Sequence, residues 1–368
     1  MQVIATPSEP PVPVSDPLDG ATANPVPIAP DVDFRTAAAS NLAMPLDERI
    51  EAYADLIDSE IGDTTLARAR NLERGMGIRQ LFLKFEGGNP TGTQKDRIAF
   101  AQAMDALRRG FDSITLATCG NYGAAMAVAA QRAGLRCLVY LPDTYHTKRI
   151  GEIVACGAEI VRTPGDYEHA VELSRERANR DEIYDANPGG ANTALQLQVY
   201  GVIAYEIYDE LRDAPAAVAV SVSNGTTLTG IYRGFLSLYR RGKTSRMPRI
   251  IAGSAWNKNP IVSGFLKNRL YCDDLSRERI RETTVNEPLV NWHSVDGNLA
   301  LDAIRRTGGV ADHASDREMT VLARTLRELE GLSVLPAATA GLHSLLEYHK
   351  RRPLVGDRYV AVLTGRKA

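Results

Sequence analysis

Two rhythms of apolar spacing alternate along most of this chain. In "LDERIEAYADLID" the residues Leu46, Ile50, Tyr53 and Leu56 recur at helical spacing. "IRQLFLKFEG" reads as a strand ended by glycines, and "DRIAFAQAMDALRRG" as a helix closed by Gly110. The alternation then becomes regular. "SITLATCG", "RCLVYLP" and "AEIVRTPG" are strand-like, and "NYGAAMAVAAQRAG", "KRIGEIVACG" and "DYEHAVELSRERANR" are helical. Further on, "AAVAVSVSNG" and "RIIAGSAW" read as strands. "LQLQVYGVIAYEIYDEL", "TGIYRGFLSLYRRG", "NLALDAIRRTGG" and "DREMTVLARTLRELEG" read as helices. "LSVLPAATAGLHSLLEYHK" predicts a strand, a turn and a helix, and "RYVAVLTG" a last strand. Short apolar strands alternating with helices predict an α/β fold, mostly parallel, with two sheets flanked by helices.

Open parallel sheets bind ligands where the carboxyl ends of strands turn into helices. That rule singles out "EGGNPTGTQKDR", "TCGNYG", "SNGTTLTG", "LPAATAG" and the end of "VLTG". The first 32 residues break the rhythm. Pro7, Pro10, Pro11, Pro13, Pro17, Pro25, Pro27 and Pro30 interrupt any element, and few bulky residues accompany them, which predicts an extended or disordered arm. It lacks the basic start and apolar core of a secretion signal.

Composition narrows the chemistry. The chain has 368 residues, enough for two domains, and a net charge of −2, which gives no reason to expect nucleic acid or a membrane surface. No long uncharged apolar run occurs. Cys119, Cys137, Cys156 and Cys272 form no CxxC pair, and the histidines show no HExxH spacing, so no metal site is expected. Sparse cysteines suit a reducing, cytoplasmic setting.

Lys95, in "GGNPTGTQKDR", is the first candidate for chemistry. A Walker A loop needs lysine directly after its last glycine, followed by serine or threonine. Here Gly92 is followed by Thr93, Lys95 comes too late, and Asp96 puts a carboxylate where a hydroxyl should hold magnesium. A better phosphate site lies at "VAVSVSNGTTLTG". There Ser223, Asn224, Gly225, Thr226 and Thr227 form a polar turn opening into a helix, whose N–H groups and dipole favour an anion. A lysine on one loop and a phosphate cradle on another suit a cofactor with both an aldehyde and a phosphate, and pyridoxal 5'-phosphate is that cofactor.

In this light the chain resembles the fold-type II pyridoxal phosphate enzymes, the tryptophan synthase beta-like superfamily, and within it the threonine synthases and cysteine synthases. The resemblance runs from about Ile61 to Lys367. "NPTGTQKDR" is similar to the family's NPTGSxKDR, "TCGNYGAA" to SSGNTGA, and "SNGTTLTG" to GTGGTLTG. "LPAATAGLHSL" is similar to EPSSAAALAAL, and "VLTGRK" to LTGxGxK. It implies that Lys95 holds the cofactor as a Schiff base and moves the substrate's α-proton. Asn121 would meet the ring hydroxyl, and Ser223, Asn224, Gly225, Thr226 and Thr227 the phosphate. Thr118, Cys119, Gly120 and Tyr122 would receive the substrate carboxylate. Thr364 would meet the pyridine nitrogen with a neutral hydroxyl, which suits elimination and replacement better than transamination.

The chain also departs from the family pattern. Thr226 stands where the cradle has a second glycine, Cys119 replaces a small residue, and bulky Tyr122 replaces a threonine. The leading expectation is threonine synthase-like conversion of O-phosphohomoserine to threonine. Lys148, Arg149 and Arg97 are candidates for binding the substrate phosphate, with a solvated helix face as the other reading of Arg149. The alternatives are cysteine synthase-type β-replacement on O-phosphoserine or O-acetylserine, serine or threonine dehydration, or a non-catalytic regulatory module. Lys95 argues against the last. The resemblance further implies a small domain at 98–205 inserted into a large one formed by 33–97 and 206–368. It also implies a homodimer acting on an amino-acid substrate.

Overall fold

The computed structural model describes residues 34–118, 120–143 and 148–367, without the side chain of Arg279. The proline-rich arm and Cys119 therefore lie outside the described residues. Residues Arg35–Ala368 belong to one compact unit.

The strands follow the apolar runs. They are β1 (Leu66–Arg68), β2 (Leu81–Phe85), β3 (Ser113–Ala117), β4 (Arg136–Pro142), β5 (Glu159–Thr163), β6 (Tyr184–Asp185), β7 (Ala217–Ser221), β8 (Arg249–Ala255), β9 (Val310–Ala314) and β10 (Tyr359–Leu363). Two sheets result, a six-stranded one in the order β1-β2-β10-β7-β8-β9 and a four-stranded one in the order β5-β4-β3-β6. All pairings are parallel except β1 with β2. Every residue of β3, β7 and β10 is buried, as expected of parallel strands covered on both faces.

Three differences from the expected elements have local causes. "LSV" forms no strand: Val334 makes only an isolated bridge to Arg366, and the chain enters the 3-10 turn Pro336–Thr339, where Pro336 has no N–H for a ladder. β9, "VADHA", went unread because Asp312 and His313 interrupt its apolar run. β1 and β6 are too short to carry a period. Among the described residues no helix is long and apolar enough to cross a membrane.

The topology sets out the site. The Lys95 loop follows β2, the Asn121 loop follows β3, the Gly225 turn follows β7, and Thr364 follows β10. All four leave the carboxyl ends of parallel strands. β10 lies between β2 and β7, so Leu363 is in register with Phe85 on one side, and Val362 with Val220 on the other. Beyond the strand, Gln94 N–H donates to Thr364 O at 3.0 Å and Arg366 N–H to Gly92 O at 2.8 Å. Gly92 has φ +85°, and a Cβ there would lie 2.7 Å from Arg366 Nε, so only glycine fits this crossing.

Beneath the lysine loop four charges are buried together. Arg97 Nε lies 2.6 Å from Glu86 Oε2, Arg97 Nη1 lies 2.7 Å from Glu206 Oε1, and Lys84 Nζ lies 2.5 Å from Glu206 Oε2. Thr64 Oγ1 donates to Glu86 at 2.7 Å, and Lys84 also donates to Thr64 O. Burial works against the charge on Arg97, but Glu86 and Glu206 hold its pKa above the ordinary value. Burial pulls the Glu206 carboxyl upward, yet Arg97 and Lys84 hold it below the usual carboxylate range. Removing one member strands an opposite charge in the interior. Arg97→Ala should therefore lower stability by about 3–5 kcal/mol, read as a shift of the urea midpoint at unchanged slope.

Candidate active site

A cavity of ≈ 310 Å³ opens where these loops meet. Lys95, Thr118, Gly120, Asn121, Tyr122, Ser223, Asn224, Gly225, Thr226, Thr227 and Thr364 all line it. The sequence separates these residues widely, and the fold brings them to one place.

Lys95 is the first residue of the helix Lys95–Arg108, and its N–H donates to Thr93 Oγ1 at 3.2 Å. Its Nζ lies 5.5 Å from the centroid of the Tyr122 ring. Asp96 turns the other way and is fully buried. It accepts from Thr91 N–H at 3.0 Å and Thr91 Oγ1 at 2.7 Å. Burial pushes its pKa up to about 6 against these bonds.

The Tyr122 hydroxyl points away from the cavity. It donates to Ala186 O at 2.8 Å and accepts from Gln102, whose carbonyl takes Asn192 Nδ2 at 2.7 Å. Burial raises the phenol well above its ordinary pKa. Tyr122 therefore offers an aromatic wall and no acid or base. Thr118 Oγ1 accepts N–H groups from Gly120 and Gly123, each at 3.1 Å. Thr118 thus caps the helix Asn121–Ala133 at its third N–H, since the N-cap residue Gly120 makes no side-chain bond.

The helix Thr226–Arg240 starts uncapped, at Gly225. First-turn N–H groups have no intrahelical partner, so Thr226, Thr227 and Leu228 bring donors and the positive end of a dipole to the cavity wall. Thr226 fits in place of glycine because its hydroxyl turns outward to Asp296 Oδ2 at 2.5 Å. Asn224 is held by Asn291 Nδ2 at 3.2 Å. These groups suit pyridoxal phosphate: an uncapped helix start for the phosphate, an amine for the aldehyde, and side-chain amide and hydroxyl groups for the ring.

The basic candidates divide differently from expectation. Neither Lys148 nor Arg149 lines the cavity; Lys148 is exposed, whereas Arg149 turns inward onto Asn121 and Thr91 and is 14% exposed. Arg149 is therefore no solvated face. Arg97 is committed to Glu86 and Glu206 and is 3% exposed, so it cannot receive a substrate phosphate.

Sequence reasoning missed the cavity mouth. Asp166, Tyr167 and Glu168 line it from the turn after β5, and Arg277 and Trp292 from the long connection before β9. Arg277 Nε lies 2.5 Å from Asp166 Oδ2, and Trp292 Nε1 donates to the same oxygen at 3.2 Å. The strand-end rule applies equally to β5 and would have found Asp166. Burial pushes the Glu168 carboxyl up to about 7, with the Asp166 charge adding to it.

The fold and this loop set define a pyridoxal phosphate enzyme. The family model described as "Pyridoxal-phosphate dependent enzyme" matches residues 57–365, and the chain belongs to that family. It is 31% identical over 291 residues to the threonine synthase of Methanocaldococcus jannaschii, covering 78% of this chain and 70% of that protein. To the threonine synthase of Bacillus sp. (strain ULM1) it is 29% identical over 308 residues, covering 83% and 82%. Among solved structures, maize serine racemase superposes with a TM-score of 0.72 at 15% identity, covering 87% of this chain and 92% of that one.

Two outcomes follow from this geometry. Gly225 has φ +91°, and a Cβ there would sit 2.9 Å from Ala300 Cβ. Gly225→Ala should cost about 1–3 kcal/mol in thermal unfolding and weaken pyridoxal phosphate binding in an absorbance titration. Glu168 has a raised folded pKa, so the native state holds its proton more tightly than the unfolded chain does. The stability this adds is complete below about 4.5 and is lost as pH rises through about 7. Glu168→Gln should flatten the fall in melting temperature over that window.

Proposed function

We propose that this chain uses pyridoxal phosphate for elimination and replacement at the side chain of an O-activated amino acid, in the manner of a threonine synthase, converting O-phosphohomoserine to threonine. One arrangement carries the reading: the Lys95 amine shares a cavity with the uncapped turn at Gly225, with Asn121 and with Thr364. The similarity to threonine synthases over most of the chain supports the same reaction class.

When bound, the pyridoxal ring supplies an electron sink for bonds around the substrate α-carbon. Lys95 Nζ would hold the aldehyde and would carry the proton to and from that carbon. The first-turn amides after Gly225 would bind the phosphate. Asn121 would donate to the ring oxygen, and Thr364 would offer the ring nitrogen a hydroxyl rather than a carboxylate. The N–H groups of Asn121 and Tyr122, the first two of the helix Asn121–Ala133, would receive the substrate carboxylate. Residues 98–205, with the four-stranded sheet, act as a small domain closing on the larger body formed by 33–97 and 206–368, and exclude water. The protein works as a cytoplasmic homodimer.

One observation favours a second reading. Among the described lining residues the carboxylates Asp166, Glu168, Glu282 and Glu287 outnumber the cations Lys95 and Arg277, and Arg277 is paired with Asp166. Carboxylates around the mouth disfavour an incoming phosphate dianion and suit dehydration of serine or threonine.

Reconstituted protein should absorb in the visible range, and Lys95→Ala should lose that band. O-phosphohomoserine should yield phosphate and threonine. Ammonia and keto acid from serine or threonine, with no phosphate released from O-phosphohomoserine, would replace the first reading with the second. A colourless wild-type protein would overturn both.

A further inference from the structure

Asn121 is a two-ended side chain, with a carbonyl that accepts and an NH2 that donates. Only the NH2 end can serve an oxygen of a bound ring. Which end faces the cavity is therefore a functional question, and a neighbour has to settle it.

We propose that Arg149 is a positioning residue that orients the Asn121 amide and so sets the donor presented to the cofactor. The assignment rests on the reading that this cavity binds pyridoxal phosphate. Arg149 Nη1 lies 3.0 Å from Asn121 Oδ1. A guanidinium has donors only, so the atom facing it must be the carbonyl oxygen. The opposite end, Nδ2, then points away from the arginine. Arg149 is itself held in place. Its Nη2 donates to Thr91 O at 2.9 Å, and its Nε and Nη2 reach Glu152 at 3.1 Å and 2.6 Å. Its planar fork suits this divided duty, since each nitrogen has a fixed direction.

The contact to Thr91 gives Arg149 a second effect. Thr91 also donates its N–H and hydroxyl to Asp96, the neighbour of Lys95. One guanidinium thus ties the Asn121 loop, which follows β3, to the lysine loop, which follows β2. The spacing between the ring-oxygen donor and the Schiff-base amine depends on a side chain that touches neither the aldehyde nor the phosphate. Lysine at this position would keep the charge but lose the fork.

The test is a binding cycle on the full chain. Pyridoxal phosphate affinity and the position of the visible band are measured for wild type, Arg149→Gln, Arg149→Lys, Asn121→Ala and the Arg149→Gln/Asn121→Ala double variant. Arg149→Gln should weaken affinity about tenfold and shift the band, and Arg149→Lys should recover part of the loss. The double variant should bind no more weakly than Asn121→Ala alone, because the arginine acts through the amide. Losses that add in the double variant, or a band and affinity unchanged in Arg149→Gln, overturn the assignment. Should Arg149→Gln fail to fold, the same cycle with Arg149→Lys decides by the same criteria. A wild-type protein that shows no band at all overturns the cofactor reading, and this assignment with it.

Discussion

The buried cluster of Lys84, Glu86, Arg97 and Glu206 is the constraint on which the rest of the site depends. It joins β2, the turn after it, the lysine helix, and the long helix Thr193–Leu211. Each charge has a partner of opposite sign within hydrogen-bonding distance. Such a cluster gains little stability over an apolar core of equal volume, but it tolerates only one arrangement of its members. That selectivity suits this position. Only Asp96 separates Arg97 from Lys95, so fixing the guanidinium fixes the start of the helix that carries the amine.

Above the cluster, the four strand-end loops differ in what they bring. Lys95 brings an amine, the Gly225 turn an uncapped helix start, the Asn121 turn a helix start and a side-chain amide, and Thr364 a neutral hydroxyl. Tyr122 supplies an aromatic surface close to the amine while its hydroxyl is committed below. The carboxylates and Arg277 lie at the mouth, and Lys95 is the one charged side chain among the other described lining residues. The chemistry of the cofactor is thus separated in space from the groups that first meet the substrate.

Much of this could be read in the sequence. The alternation of apolar runs predicts a parallel α/β fold, and the rule that ligands bind beyond strand ends identifies the loops of Lys95, Asn121, Gly225 and Thr364, but not the turn after β5 or the connection that carries Arg277 and Trp292. What the sequence hid was long-range pairing. "KDR" says nothing of Glu206, which lies far along the chain, so on sequence alone Arg97 is a candidate for the substrate. Arg149 sits in "HTKR", a stretch indistinguishable from a solvated helix start until Asn121 and Thr91 are brought beside it. β9 was hidden by its own polar residues, and Asp166 by a turn that carries no glycine-rich signature. Local pattern reports elements; partners across the fold leave no local trace.

The placement of β10 has a kinetic side. It sits in the middle of the six-stranded sheet, yet it pairs with β2, which comes early in the chain. Until that pairing forms, β2 and β7 have no strand between them, and the backbone of Thr364 cannot receive Gln94 beside the amine. Closing so long a loop is entropically slow, and it comes before the reward of packing. The half-formed sheet thus exposes two unpaired edges. Refolding yield should be governed by that interval, in which chains are open to association with one another.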